Sequence, residues 1–83
     1  MAKTFNYRVC QAQAARVTFV NGRWQGLQVA DEGNPAQLYN SCPMVWEYLE
    51  SAGRDGWELV SVVPQSDAPG AASLMFLKKE AAE

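Results

Sequence analysis

The sequence predicts an α+β fold, with an antiparallel sheet of about four to five strands in the order β-β-β-α-β-β and one helix packed on one face. Three observations lead to this prediction. Apolar and polar residues alternate near the start of the chain, and two short apolar runs bounded by turn residues lie near its end. An Asn-Gly dipeptide at residues 21–22 marks a tight hairpin. A single stretch with apolar residues at helical spacing lies between them.

Residues 4–29 are predicted to form a strand followed by a β-hairpin. Apolar residues recur at every second position from Phe5 to Val9, which is the period of a half-buried strand. Residues 12–15 contain no Gly, Pro or Asn. The chain is therefore expected to pass through a bend or a bulge there rather than a tight turn.

The Asn21-Gly22 dipeptide predicts the register of the hairpin. A type I′ turn needs a positive φ at both central residues, and Asn followed by Gly adopts it most readily. A two-residue loop sets Phe19 opposite Trp24 on the next strand. Val17 is expected to lie on the same face as these two aromatic residues.

Residues 30–41 are predicted to be a polar loop, and residues 42–53 a helix. Pro43 suits the first turn of this helix, because its missing N–H would have no helical partner there. Gly53 is expected to end the helix in the left-handed conformation that glycine accepts. The face expected to pack on the sheet is a stripe formed by Met44, Val45, Tyr48, Leu49 and Ala52.

Residues 57–79 are predicted to form a second β-hairpin, and residues 80–83 a frayed tail. Glu58 is expected to lie opposite either Lys78 or Lys79, as a cross-strand ion pair that specifies the register. With 83 residues and no internal repeat, the chain is expected to be a single domain.

Both strands of this second hairpin are apolar on both faces. An antiparallel sheet with water on its second face usually alternates apolar and polar residues, so something is expected to cover that face. The candidates are a second copy of the chain and the N-terminal hairpin, and simple exposure is the remaining alternative. The first candidate predicts a homo-oligomer, most simply a dimer, with a contact formed by Val60, Val62, Met75 and Leu77.

Trp46 lies off the apolar stripe of the predicted helix and is expected at its flank or on the surface. Two interpretations of this residue remain open. It either closes over the loop of residues 31–41, or it anchors a contact with a partner, because tryptophan is enriched at contact hot spots.

The stretch YLESAGRDGWELVSVVP, with LMFLKKE after a polar loop, resembles the small bacterial family catalogued as domain of unknown function 4177. The shared features are a short helix, a Gly-x-x-Gly-Trp-Glu-Leu-Val turn into a strand, and a closing strand that ends in Lys or Arg. The resemblance covers residues 48–79 and the opening strand around residues 7–9. It implies a small α+β domain and no particular activity. This chain differs from the shorter members by its hairpin at residues 21–22 and its loop at residues 31–41.

Composition argues against several classes of partner. The net charge is −2, and the seven basic residues are scattered along the chain, whereas nucleic-acid binding by counterion release needs clustered Lys and Arg. No apolar run follows the N-terminal residues and none approaches a membrane span of about 20 residues. A cytoplasmic protein without nucleic-acid or membrane partners is therefore expected.

Catalytic chemistry finds little support in the sequence. The chain contains no histidine, which excludes Ser-His-Asp triads and histidine metal sites. Cys10 and Cys42 match no metal-binding spacing. Cys42 lies at the start of the predicted helix, where the dipole lowers a thiol pKa, but no base accompanies it. A non-enzymatic protein without metal or cofactor is therefore expected.

Two hypotheses about function remain. The first is a non-catalytic interaction or assembly domain that self-associates through the second face of its sheet. The second is a small-ligand-binding protein with a pocket between the helix, the hairpin and the loop of residues 31–41. In that second case aromatic residues would stack on an aromatic or nucleotide-like ligand and arginines would hold its anionic group; the candidates are Trp24, Tyr39, Trp46, Arg8, Arg23 and Arg54.

Overall fold

The computed structural model of the protein describes residues 2–27, 35–65 and 71–81. The strands and helices in these ranges are β1 (Phe5–Gln13), β2 (Arg16–Val20), β3 (Arg23–Trp24), α1 (Pro35–Asn40), α2 (Val45–Arg54), β4 (Glu58–Pro64) and β5 (Ser73–Glu80). All strand pairs are antiparallel and form one sheet in the order β3-β2-β1-β5-β4. Because α2 packs on one face of this sheet, the predicted α+β architecture is confirmed.

The turn between β2 and β3 has the predicted form. Asn21 and Gly22 have φ values of 50° and 83°, as a type I′ turn requires. Phe19 lies opposite Trp24 in the predicted register. The Asn21 side chain also accepts a hydrogen bond of 2.8 Å from the backbone N–H of Val9, which ties the turn to β1.

A β-bulge interrupts the pairing of β1 with β2. Gln11 lies opposite Phe19, but the next residue of β1, Ala12, lies opposite Val17, so Thr18 is the extra residue. The prediction that Val17 shares the face of Phe19 is therefore wrong, because the bulge turns the two side chains to opposite faces. Val17 is completely buried.

The helix α2 begins at Val45, later than predicted. The N–H of Val17 bonds to the carbonyl of Pro43 at 2.9 Å, and the N–H of Val45 bonds to the carbonyl of Ala15 at 2.7 Å. Met44, between them, has an extended backbone with φ −68° and ψ 150°. These contacts hold the segment against the edge of β2 and delay the helix. The six-residue helix α1 lies inside the segment that was predicted to be a loop.

At its other end, α2 continues through Gly53 to Arg54. The left-handed residue is Gly56, with φ +94°, so the prediction for Gly53 is wrong. The N–H of Trp57 bonds to the carbonyl of Ala52 at 2.9 Å, and the N–H of Gly56 bonds to the carbonyl of Gly53 at 3.0 Å. The chain therefore reverses after these bonds have satisfied the last helical carbonyls.

The hydrophobic core lies between α2 and one face of the sheet. Tyr48 and Leu49, from the predicted stripe of α2, are partly buried there, as are Val20, Val45 and Trp57. The fully buried members of the core cluster are Cys10, Ala12, Val17, Ala52, Met75 and Leu77.

Met75 and Leu77 were predicted on a second apolar face, and this prediction is wrong. Their side chains are 2% and 1% exposed, in the core beneath α2. A second bulge explains part of the difference. Leu59 lies opposite Leu77, but Ser61 lies opposite Phe76, so Val60 is an extra residue in β4. The regular alternation expected for β4 does not survive this insertion.

Candidate interaction surfaces

The sheet has a second apolar face, which we call the open face. It is the side opposite α2, and the pairing of each strand with its neighbour identifies its members. In the described part of the chain, the helix α2 packs only on the other side. The apolar residues of the open face are Phe5, Tyr7, Val9, Phe19, Trp24, Val63, Leu74 and Phe76.

The open face combines a projecting side chain with a depression. Tyr7 is the most exposed large apolar residue of the described chain, at 68%. Further along β1 lies a shallow cleft with a volume of about 560 Å³. It is lined by Val9, Gln11, Phe19, Asn21, Gly22 and Leu74. The projecting side chain of Tyr7 and the part of the cleft formed by Val9 and Gln11 therefore follow each other along β1.

A charged pair borders the open face at the end where β4 begins. Glu58 lies opposite Lys78, with 4.0 Å between its carboxylate and the ammonium group. This confirms one of the two predicted cross-strand pairs. The ammonium group of Lys78 also lies 4.9 Å from the centroid of the Phe5 ring.

The strand β4 forms one edge of the sheet, and all seven of its residues are exposed. Val60 and Val62, two of the predicted interface residues, are 55% and 52% exposed. Two features oppose pairing of this edge with another strand, namely the bulge at Val60 and the missing N–H of Pro64. The N–H of Gln65 bonds to the carbonyl of Ala72, on the side of β5. Successive residues of an antiparallel strand point their backbone N–H and C=O groups alternately to its two sides, so the backbone of Pro64 points to the free edge.

Trp46 is 60% exposed on α2, as predicted for a residue off the buried stripe. The helix lies across the sheet from the open face, so Trp46 and the open face belong to different surfaces of the molecule. Neither a contact with a partner nor a closure over residues 31–34 is assigned to it, since those loop residues lie outside the described ranges.

The six residues predicted to bind a ligand make different contacts in the described structure. Trp24 packs edge-to-face on Phe19 at 5.5 Å, and Tyr39 donates a hydrogen bond of 2.7 Å to the carbonyl of Gln13. Arg23 and Arg54 are exposed, and Trp46 and Arg8 extend from α2 and β1. Neither the cleft beside Val9 nor the cleft beside Lys79, both among the described residues, is lined by any of the six. Residues 31–34 of the predicted pocket lie outside those residues.

Arg8 belongs instead to a cluster around Trp57, on the helix side of the sheet. Its guanidinium carbon lies 4.1 Å from the centroid of the indole ring, and its Nη1 donates a hydrogen bond of 2.8 Å to the phenol of Tyr48. The ammonium group of Lys79 lies 5.8 Å from the same ring. Burial, together with a hydrogen bond to Cys10, raises the pKa of Tyr48 to about 12. Sequence reasoning did not find this cluster, because its members come from three distant segments.

The two cysteines are free and buried. Burial raises the pKa of both thiols above the ordinary value, against the smaller opposing effects of Tyr48 and Arg8 on Cys10 and of Arg16 on Cys42. Cys42 precedes α2 by three positions, so the helix start predicted there does not act on it. Within residues 2–27, 35–65 and 71–81, no group of three or more Cys, Asp or Glu side chains is arranged to hold a metal ion.

No helix in the described part of the chain has the length and apolar character needed to cross a membrane. Comparison with protein-family models, with curated proteins and with solved structures found no match.

Proposed function

We propose that this protein is a non-catalytic assembly domain that forms a homodimer by packing the open faces of two sheets against each other. The observation that carries the proposal is the open face itself, where apolar residues of all five strands lie opposite the helix-covered side. Exposed apolar patches larger than a few hundred Å² are uncommon on monomers and usually mark interaction sites.

The size of the open face suits a second copy. The five strands contain 31 residues. With strands about 4.8 Å apart and about 3.4 Å per residue, they give roughly 500 Å² of flat face before the relief of the side chains is counted. Standard interfaces bury about 800 Å² per partner, and the weaker ones bury below about 600 Å². A contact of this size is consistent with a dimer whose population depends on protein concentration.

The relief of the face is self-complementary, as a two-fold dimer requires. Tyr7 projects on one side of Val9, and the cleft that includes Gln11 lies on the other side along β1. A two-fold axis crossing over Val9 places Tyr7 of each copy over the cleft of the second copy. The amide side chains of Gln11 and Asn21 in that cleft are suitable partners for the phenol group.

The free edge of β4 is the less favourable route to a dimer. A proline and a bulge both interrupt the row of backbone groups that a second strand would need, and natural proteins use these two features to protect edges.

The state of the two thiols supports a non-catalytic role. Both are buried and have a raised pKa, which disfavours the nucleophilic thiolate.

A pair of matched substitutions tests the proposal. Tyr7→Lys and Trp46→Lys each replace an exposed aromatic residue by lysine, on opposite sides of the sheet. Sedimentation equilibrium over a range of concentrations should show a dimer for the wild type and for Trp46→Lys. Tyr7→Lys should remain folded by circular dichroism and sediment as a monomer.

Two other outcomes contradict this interface. A wild-type protein that stays monomeric at the highest concentration excludes the dimer. If Val62→Lys dissociates the dimer and Tyr7→Lys does not, the copies associate through the edge of β4 instead.

A further inference from the structure

Two cationic side chains lie close to the indole ring of Trp57. The Arg8 guanidinium carbon and the Lys79 ammonium nitrogen lie 4.1 Å and 5.8 Å from its centroid. Both residues point to the helix side of the sheet, since Arg8 pairs with the buried Leu77 and Lys79 pairs with Asn6 on the same face. Because both lie within 6 Å of one ring centroid, the two charges are less than about 10 Å apart. Like charges within that range repel, and a patch of one sign attracts an ion of the opposite sign.

Both cations are held in position by the chain that leads into Trp57. The phenol of Tyr48, on α2, accepts a hydrogen bond from Arg8. The stem of Lys79 lies against Gly56, where an added Cβ would be 3.4 Å from Cε and 3.8 Å from both Cδ and Cγ. The Gly-Arg-Asp-Gly-Trp turn thus supplies both the ring and the surface on which Lys79 rests.

No carboxylate within the described ranges forms an ion pair with either cation. The two ion pairs found there join Glu50 to Arg54 and Glu58 to Lys78. Glu58 and Glu80 do border the cleft next to Lys79. Strand alternation, however, places both with Lys78 on the open-face side, away from the ring that Arg8 and Lys79 share.

We propose that Arg8 and Lys79, beside the ring of Trp57, bind a compact oxyanion of the phosphate class. Arg8 uses one of its five N–H donors on Tyr48, and its planar guanidinium matches the oxygens of phosphate. Lys79 adds a second positive charge as a point donor. Two cations suit a doubly charged anion better than a singly charged one. The site lies across the sheet from the open face, so it does not depend on the proposed dimer.

Inorganic phosphate is the probe that tests this site. Uniformly ¹⁵N-labelled protein is titrated at constant ionic strength, with sodium chloride replaced by sodium phosphate. The indole N–H of Trp57 and the backbone amides of Arg8 and Lys79 should shift and saturate. In Lys79→Gln the apparent affinity should fall by about tenfold or more, as expected for one charge-assisted hydrogen bond.

Arg54→Gln is the matched control, because it also removes one positive charge near the turn but from an exposed residue paired with Glu50. Its titration should match that of the wild type. Lys79→Gln is the decisive variant, since Arg8→Gln would also break the hydrogen bond to Tyr48.

Three results overturn the proposal. Shifts that rise linearly with phosphate without saturating show that no site exists. Equal titrations of Lys79→Gln and the wild type place the binding elsewhere. Acetate that saturates the same signals as tightly as phosphate excludes the preference for a doubly charged anion.

Discussion

Thr18 donates a hydrogen bond from its hydroxyl to the backbone carbonyl of Gln11, at 3.1 Å, across β2 and β1. Thr18 is completely buried and is the extra residue of the bulge between these strands. The bulge sends Val17 to the core and Phe19 to the open face. One side-chain hydrogen bond thus lies at the point where the sheet acquires its two apolar faces.

Thr18→Val should therefore lower the free energy of unfolding by about 1–3 kcal/mol, because a part-buried backbone acceptor loses one of its donors while the shape of the side chain is kept. Urea unfolding at one protein concentration measures the change. Thr4→Val, at an exposed position, is the control and should have almost no effect. A neutral or stabilising Thr18→Val would show that the hydroxyl does not support the bulge.

Two glycines of the turn after α2 should respond to alanine with opposite signs. Gly53→Ala should raise the free energy of unfolding by about 0.5–1 kcal/mol, because Gly53 is helical and an added Cβ meets nothing within 4 Å. Gly56→Ala should lower it, since φ is +94°, a backbone conformation that is strained for a residue with a Cβ. Thermal melts of the two variants give the comparison. Destabilisation by Gly53→Ala would mean that Gly53, not Gly56, adopts the left-handed conformation.

Leu59 and Leu77 lie opposite each other but in different surroundings. Leu77 is 1% exposed and Leu59 is 41% exposed. Leu77→Ala should cost about 2–5 kcal/mol as a core truncation, whereas Leu59→Ala should cost about 1 kcal/mol or less. Urea unfolding of the two variants checks this difference. Similar costs for both would indicate that β4 is covered more fully than its exposure suggests.

Stability should fall at alkaline pH through Tyr48. Its pKa is raised from 10.0 to about 12, mainly by burial. Between pH 10 and pH 12 the unfolded chain releases this proton while the folded chain keeps it, so the free energy of unfolding decreases as pH rises. Below pH 10 the phenol is neutral in both states and this contribution to stability is complete.

Tyr48→Phe should remove this part of the alkaline slope, measured by urea unfolding from pH 9 to pH 11.5. Thr4→Val is the control, because it removes an exposed hydroxyl from another part of the chain, and its slope should remain that of the wild type. An unchanged slope in Tyr48→Phe would show that other groups cause the loss of stability.

The sequence alone predicts those features of this protein that depend on local conformation. Asn21-Gly22 adopts the positive φ values of a type I′ turn because no other dipeptide does so as readily. The apolar stripe of α2 packs on the sheet because its spacing matches the helical period. Glu58 meets Lys78 because the loop length and the alternation of the strands leave few registers.

The excess of apolar residues in the second hairpin correctly predicts that the sheet has two apolar faces, but the members of the second face were wrong. A bulge changes which residues lie together, and it depends on the partner strand rather than on the bulged residues alone. Val60 in β4 and Thr18 in β2 are such insertions. Only the tertiary structure places Met75 and Leu77 in the core.

The start of α2 and the cluster around Trp57 were likewise decided by contacts between distant segments. Pro43 fits the first turn of a helix, yet its carbonyl bonds to Val17, and this pairing with β2 outweighs the local preference. Arg8 reaches Trp57 because β1 and β5 are neighbours in the sheet. Strand order comes from the packing of the whole chain, so no local sequence pattern around Arg8 or Trp57 predicts their contact.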